Sequence, residues 1–165
     1  MLFTVFLALV CCMAVTVLLV GGVAFVQEIK FFSSAPKEVR ALLKPREEEP
    51  FYGAGAMGRV MTIMSALMIL GAFAAAVWDG FRSGYSFARF FLRFVLILTI
   101  YKAYDMIFFD WFLLCRFHFF QQYFPETAPA LEGRKYGFNI KSQLLKLLVI
   151  FPAVSALAAW VCSLF

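Results

Sequence analysis

The residues best suited to chemistry are ionisable side chains inside a long apolar stretch, 87–124. Lys102, Asp105 and Asp110 lie near its middle. Three hydroxyl groups accompany them, those of Thr99, Tyr101 and Tyr104. An ionisable group at the centre of a bilayer costs roughly 2.5 to 3.5 kcal/mol on insertion scales, so it faces a protein interior or a water-filled cavity. The cluster therefore predicts a path for protons, ions or a polar substrate.

Lys102 and Asp105 also have a purely structural interpretation. They are three residues apart, which makes them neighbours on one face of an α-helix and able to neutralise each other. On an ideal α-helix Asp110 lies about 80° from Lys102, whereas Asp105 and Asp110 diverge by about 140°. Asp110 has no neighbouring base in the sequence, so it is the stronger functional candidate of the three.

His118 and Glu126 provide a second set of candidates, for acid–base catalysis. His118 is the only histidine and lies in the string Arg-Phe-His-Phe-Phe, close to the predicted membrane surface. Together with Asp110, these side chains would supply the acid–base groups of a membrane-embedded enzyme that acts on a lipid or isoprenoid at the headgroup level. The alternative for His118 is interfacial anchoring.

Arg89 and Arg93 lie four residues apart on one helix face, near the other end of the same stretch. Arginine side chains at this depth extend to the lipid headgroups and contact their phosphates. The spacing predicts either a bound anionic lipid or anchoring of the helix end.

No metal or cofactor is predicted. The sequence has no nucleotide-binding, zinc-protease, serine-hydrolase, potassium-filter, haem or iron–sulfur motif. The cysteines all lie in apolar runs without zinc-site spacing: Cys11, Cys12, Cys115 and Cys162. The net charge of +5 comes from basic residues scattered over loops and helix ends, a pattern that argues against nucleic-acid binding.

The composition predicts that lipid surrounds these elements. Of the 165 residues, 64% are hydrophobic and 15% charged, and 22 are phenylalanine, more than a small soluble domain buries. The predicted fold is an all-α, polytopic integral membrane protein, forming a single membrane domain over 1–165 with the lipid bilayer as its partner. Apolar runs long enough to cross a ~30 Å hydrocarbon core at ~1.5 Å per residue predict about four transmembrane helices. The predicted spans are 2–26, 60–78, 90–115 and 144–165, and the long loops are 27–58 and 117–142.

A short amphipathic helix is predicted in the first loop. Ser34 followed by Pro36 is typical of a helix start, and Pro45 would end the helix. Its apolar face would consist of Val39, Leu42 and Leu43. Such a helix would lie at the membrane surface. Further along, residues 79–84 predict a tight turn, and Pro152 predicts a kink in the last span.

The distribution of lysine and arginine predicts the orientation. Basic residues near span ends favour the cytoplasmic side, so both long loops are predicted to be cytoplasmic and both termini to lie outside. The residues on the basic side are Lys30, Lys37, Arg40, Lys44, Arg46, Arg59, Arg116, Arg134, Lys135, Lys141 and Lys146. Only Arg82, Arg89 and Arg93 fall on the other side.

Several strings in the C-terminal half resemble small multi-span membrane proteins of Gram-positive bacteria, a group for which no activity is known. The strings are Lys102-Ala103-Tyr104-Asp105, Phe108-Phe109-Asp110-Trp111-Phe112-Leu113-Leu114-Cys115, Phe124-Pro125-Glu126-Thr127 and Tyr136-Gly137-Phe138-Asn139. The resemblance implies a multi-pass protein of the bacterial cytoplasmic membrane. It implies no activity.

Three hypotheses follow for the function. The first is a transport-type or ion-coupling component that uses the polar centre of the third span. The second is the membrane-embedded enzyme described above, and the third is a non-catalytic accessory or scaffold subunit. Because the halves show no inverted repeat, transport would require a homo-oligomer or a larger membrane complex.

Overall fold

The computed structural model describes residues 1–27, 29, 35, 37–44, 46, 48–133 and 140–165. All regular structure in these residues is helical. The helices are α1 (Leu2–Val26), α2 (Lys37–Leu42), α3 (Ala54–Arg82), α4 (87–116), α5 (Phe119–Tyr123), α6 (Ala128–Leu131) and α7 (Ile140–Ser163), with a 3-10 turn at Pro125–Thr127. The predicted helix signals Ser34, Pro36 and Pro45, the basic residues Lys30, Arg134 and Lys135, and the string 136–139 lie outside the described residues.

Three of these helices, α1, α3 and α7, are long and apolar enough to cross a membrane. Large apolar side chains cover their outer surfaces. Leu70 on α3 is 67% exposed and Leu148 on α7 is 69% exposed. Exposed leucines in such numbers are stable when the surrounding medium is lipid rather than water. The chain is therefore an all-helical membrane protein.

Three helices are longer than the predicted spans, and one of them is α4, which covers 87–116 instead of 90–115. The second apolar helix covers Ala54–Arg82 instead of 60–78, and the turn predicted at 79–84 begins only after Arg82. The last helix begins at Ile140 instead of 144. Each predicted span ended at the first charged or polar residue. The backbone hydrogen bonds of a helix continue through such residues when their side chains bond to other groups or contact solvent.

Helix α4 is a single unbroken helix. It is α-helical over Phe87–Tyr104 and π-helical over Asp105–Arg116. The helix ends where His118 adopts a left-handed backbone conformation, with φ of 54°. Residues 87–124 contain no glycine or proline that could form a hairpin, and none is present.

Pro152 lies inside α7, and the helix continues through it. A proline lacks the backbone N–H that would bond to the carbonyl four residues earlier. Immediately before it, Lys146–Ile150 is π-helical, a local change of hydrogen-bond pattern beside the missing donor. A π-helical turn thus precedes Pro152, and the predicted kink stays a prediction.

The long helices pack in the order α3, α1, α4, α7, with α1 and α4 in the middle. A first hydrophobic cluster, the bundle core, joins all four. It consists of Leu7, Ala8, Cys11, Ala72, Ala76, Phe90, Phe94, Ile97 and Ala159. Small residues on α1 and α3 allow close approach, and phenylalanine rings from α4 fill the space between the helices. This core fixes α4 between two apolar helices.

A second cluster, the loop core, lies at the opposite end of the bundle. It consists of Val23, Ala35, Val39, Leu43, Leu114, Phe120, Phe124 and Leu131. Two of the three apolar residues predicted for the surface helix, Val39 and Leu43, are buried in it, while Leu42 stays 39% exposed. The short helix α2 therefore packs against the second loop.

Helices α1 and α3 approach each other closely at Gly58. A Cβ atom on this residue would lie 2.8 Å from the Gly21 carbonyl oxygen and 2.9 Å from Phe25 Cβ. Both distances are shorter than van der Waals contact, and backbone atoms cannot yield as a flexible side chain does. By contrast, a Cβ atom on Gly71 in the same helix would meet nothing within 4 Å.

We expect Gly58→Ala to lower the free energy of unfolding by about 1 to 3 kcal/mol, because the added methyl group separates α1 from α3. Gly71→Ala is the matched control. It should leave stability unchanged or raise it, since alanine favours a helix interior by about 1 kcal/mol over glycine. Thermal unfolding of the purified protein in detergent, followed by circular dichroism, measures both. Equal stability of the two variants would contradict the close contact.

Candidate functional site

The centre of α4 contains a buried ion pair. Lys102 is 5% exposed, and its Nζ donates a hydrogen bond to Oδ2 of Asp105. The two residues are three apart on one helix face and form the ion pair that this spacing predicted. Each charge compensates the other, which lowers the cost of holding them in the apolar bundle.

Asp110 has a different kind of partner. Gln143 on α7 donates a hydrogen bond from Nε2 to Oδ2 of Asp110, at 2.9 Å. In the described part of the chain, no lysine, arginine or histidine nitrogen lies within 4.0 Å of this carboxylate. An amide donor orients a carboxylate without neutralising its charge. Of the two carboxylates on α4, Asp105 and Asp110, only Asp110 therefore lacks an opposite charge in direct contact among the described residues.

A cavity of about 190 Å³ adjoins Asp110. It is lined by Met106, Ile107, Asp110, Trp111, Ile140 and Gln143. The Oε1 atom of Gln143 is buried there without a hydrogen-bond partner among the described residues. A carboxylate that lines a cavity can accept a hydrogen bond from a water molecule or a proton-bearing group there, or contact a cation.

The π-helical stretch changes the directions of the two aspartates. Hydrogen bonds in a π-helix link residues five apart, so such residues lie on the same side. Asp105 and Asp110 are five apart within Asp105–Arg116. The 140° divergence expected of an ideal α-helix is therefore wrong here. Asp105, Lys102 and Lys146 all lie close enough to Asp110 to interact with it electrostatically.

The tyrosine hydroxyls predicted to border the same path do not converge on one cavity. The Tyr104 hydroxyl shares a hydrogen bond of 2.9 Å with Oγ1 of Thr16, which connects α4 to α1. The Tyr101 ring lies beside Phe151 on α7, with ring centroids 6.5 Å apart, and lines a separate apolar cavity with Cys11. These tyrosines contribute to helix packing on both sides of α4.

The acid–base set Asp110, His118 and Glu126 is divided among different surroundings. Glu126 forms an ion pair with Arg46 at 2.9 Å, which joins the two long loops. His118 lines a cavity of about 670 Å³ that also includes Cys115 and Glu132. Asp110 lines the smaller cavity with Gln143 instead. Neither cavity is lined by two members of the set.

Arg93 is not at the lipid headgroups, where the sequence placed it. It is 3% exposed and donates hydrogen bonds to the Ala76 carbonyl at 2.7 Å, to Asp79 Oδ2 at 2.7 Å and to the Tyr85 hydroxyl at 2.6 Å. Arg89, one turn earlier, is exposed and stands 5.9 Å from the centre of the Tyr85 ring. Only Arg89 therefore has the exposure that the sequence predicted for both.

Two important residues, Asp79 and Gln143, were not predicted as site residues. The turn prediction took Asp79 as a loop residue, although it lies only 14 residues before Arg93, across the turn. That proximity was a signal for the ion pair. Gln143 carries no charge and no motif, so only the packing of α7 against α4 could identify it.

We expect Asp79→Asn to lower the free energy of unfolding by about 1 to 3 kcal/mol, because it leaves the buried Arg93 guanidinium without its counter-charge. The expected loss of unfolding free energy is smaller than for a fully buried ion pair, since the Asp79 side chain is 37% exposed. Chemical unfolding in detergent measures it. Arg82→Gln, at an exposed arginine of the same helix end, should change stability far less, and an equal loss would contradict this role.

No protein-family model matches the chain, and neither the curated proteins nor the solved structures compared with it give a match.

Proposed function

We propose that the chain crosses the bilayer four times, through α1, α3, α4 and α7, and acts as a transport-type or ion-coupling component. In this proposal both termini lie outside and the loops 27–58 and 117–142 are cytoplasmic. The membrane is the bacterial cytoplasmic membrane, in keeping with the resemblance to multi-span proteins of Gram-positive bacteria. The path runs between α4 and α7.

The packing of α4 supports a fourth span. Helix α4 lies alongside both α1 and α7, which are apolar enough to be transmembrane. The two cations inside it do not face lipid: Arg93 and Lys102 are buried, and each is paired with an aspartate. Pairing of these charges inside the protein removes most of the free-energy cost of placing such a helix in the bilayer.

Asp110 is the observation that carries the ion-coupling proposal. Its carboxylate is held by Gln143, borders a cavity and, among the described residues, has no cation in direct contact. A carboxylate in these surroundings can bind and release a proton or a small cation, the elementary step of ion-coupled transport. The Lys102–Asp105 pair lies on the same side of α4 and would provide the next polar groups along the path.

The path would also need a second copy of the chain or a partner subunit. The cavity beside Asp110 is open, since Ile107 is 62% exposed, Trp111 45% and Ile140 44%. A conducting path in a membrane needs protein walls on all sides. A second copy of the chain, or another subunit packed against α4 and α7, would complete them.

The enzyme hypothesis has less support from the geometry, because Asp110, His118 and Glu126 do not share either cavity. A lipid-modifying reaction would need an acid and a base within hydrogen-bond reach of one substrate. Glu126 is already paired with Arg46.

Purified protein reconstituted into vesicles with a pH-sensitive dye inside tests the ion path. Under an imposed potential we expect proton entry above that of protein-free vesicles, and Asp110→Asn should lower it about tenfold or more, because an amide cannot release a proton at neutral pH. Gln143→Leu should lower proton entry less, since it removes only the hydrogen bond that orients the Asp110 carboxylate and leaves the carboxylate itself in place. Absence of flux with protons, sodium and potassium would favour the accessory-subunit alternative instead.

The double variant Lys102→Met with Asp105→Leu separates structure from transport. Removing both members of a buried pair together leaves no unpaired charge, so the variant should fold with stability close to that of the unmodified protein. We expect its proton flux to fall. Full flux in the folded double variant would mean that Lys102 and Asp105 are a structural pair and that Asp110 alone serves the path.

The orientation has its own test. Short epitope tags placed before Met1 and after Phe165 should both be digested when protease is added to intact cells stripped of any outer barrier, because an even number of spans puts both ends on one side. A tag in the loop near Tyr52 should be protected. Opposite results for the two terminal tags would mean that only three helices cross the membrane.

A further inference from the structure

A cavity of about 270 Å³ lies between the first turn of α1 and the first two turns of α4, at the end of the bundle away from Asp110. It is lined by Met1, Thr4, Tyr85, Arg89, Leu92 and Arg93. Two arginines and a tyrosine provide its hydrogen-bond donors, and Leu92, 48% exposed, gives it an apolar edge.

The charges at this cavity do not cancel. Asp79 is paired with Arg93 through one guanidinium NH₂ group, while Arg89 is exposed and, within the described residues, has no carboxylate within 4.0 Å. Two guanidinium groups and one carboxylate leave one positive charge. A small cavity with excess positive charge favours an anion.

Arg93 retains one unused donor. Its two terminal NH₂ groups bond to Ala76, Asp79 and Tyr85, but its Nε–H is buried without a hydrogen-bond partner in the described part of the chain. The whole side chain is only 3% exposed. A buried donor on a charged group is costly to leave unpaired, so a small shift of the side chain that brought this N–H to an acceptor in the cavity would be favourable.

The start of α4 adds to the positive potential. The helix begins at Phe87, and its N-cap Ser86 makes no side-chain hydrogen bond to the free backbone N–H groups of the first turn. The N-terminal end of a long helix carries a partial positive charge and exposed N–H donors. This end lies one turn from Arg89, so both contribute to the field at the cavity.

We propose that this cavity binds a phosphate group, either the phosphodiester of an anionic lipid headgroup or free inorganic phosphate. Arg89 supplies the unpaired charge and a bidentate fork, and the buried Arg93 adds its positive charge to the field at the cavity. Leu92 accommodates the apolar part when the ligand is a lipid. The site lies on α4 far from Asp110 and does not depend on the ion path.

Native mass spectrometry of the full chain in detergent, with phosphatidylglycerol and phosphatidylcholine as probes, tests the proposal. The unmodified protein should retain phosphatidylglycerol in preference to the zwitterionic lipid. Arg89→Gln should weaken that retention about tenfold or more, the loss expected for a charge-assisted hydrogen bond to an anion. Arg89→Lys, which keeps the charge but not the fork, should give an intermediate value.

Arg82→Gln is the matched control, because it removes one exposed arginine at the same end of the bundle outside the cavity. It should retain phosphatidylglycerol as the unmodified protein does. Equal retention of phosphatidylglycerol by Arg89→Gln and the unmodified protein, or an equal loss with Arg82→Gln, would overturn the lipid-headgroup form of the proposal. Arg89 is exposed, so its variants should fold, and circular dichroism checks this.

Inorganic phosphate distinguishes the two sources. If phosphate alone protects the protein against thermal unfolding, and Arg89→Gln abolishes that protection, the site takes free phosphate. If phosphate has no effect while phosphatidylglycerol is retained through Arg89, the site is a lipid headgroup site. Binding of neither probe through Arg89 would refute the phosphate site.

Discussion

Two cations buried in the same helix determine how the bundle is built. Arg93 and Lys102 lie on α4 at 3% and 5% exposure, in a chain whose other long helices are almost entirely apolar. A cation in such surroundings is tolerated only when an opposite charge and hydrogen-bond acceptors accompany it. The groups that hydrogen-bond to Arg93 lie on α3 and in the turn between α3 and α4. These segments must therefore keep their positions for α4 to be buried.

The requirement of Arg93 explains the length of α3. The helix continues past its apolar stretch to Arg82, which brings the Ala76 carbonyl and the Asp79 carboxylate to the guanidinium group. The Tyr85 ring, 4.3 Å from the guanidinium carbon, covers it from the turn. One buried charge therefore connects the end of α3, the turn and the start of α4 more specifically than apolar packing would.

The sequence was sufficient to predict the features that depend on local spacing. The apolar runs predicted the long helices, and the spacing of three predicted the pair Lys102 and Asp105. Features that depend on contacts between distant segments could not be predicted in this way. The burial of Arg93 depends on Asp79 across a turn, and the surroundings of Asp110 depend on Gln143, 33 residues away. A polar residue gives no sign in its own sequence of which helix it will face.

The π-helical half of α4 gives the polar residues a common direction. On an α-helix, residues five apart would point to different sides, whereas in a π-helix they lie above one another. Asp105, Asp110 and Cys115 are spaced by five within this stretch, and the Cys115 thiol donates a hydrogen bond to the Asp110 carbonyl. Cys115 also lines the large cavity that contains His118. The helix geometry thus aligns one side of α4 from the buried ion pair, past the cavity beside Asp110, to the cavity at the loop end. π-Helical segments are rare and occur frequently at functional sites, and here the segment coincides with the polar residues along which the proposed path would run.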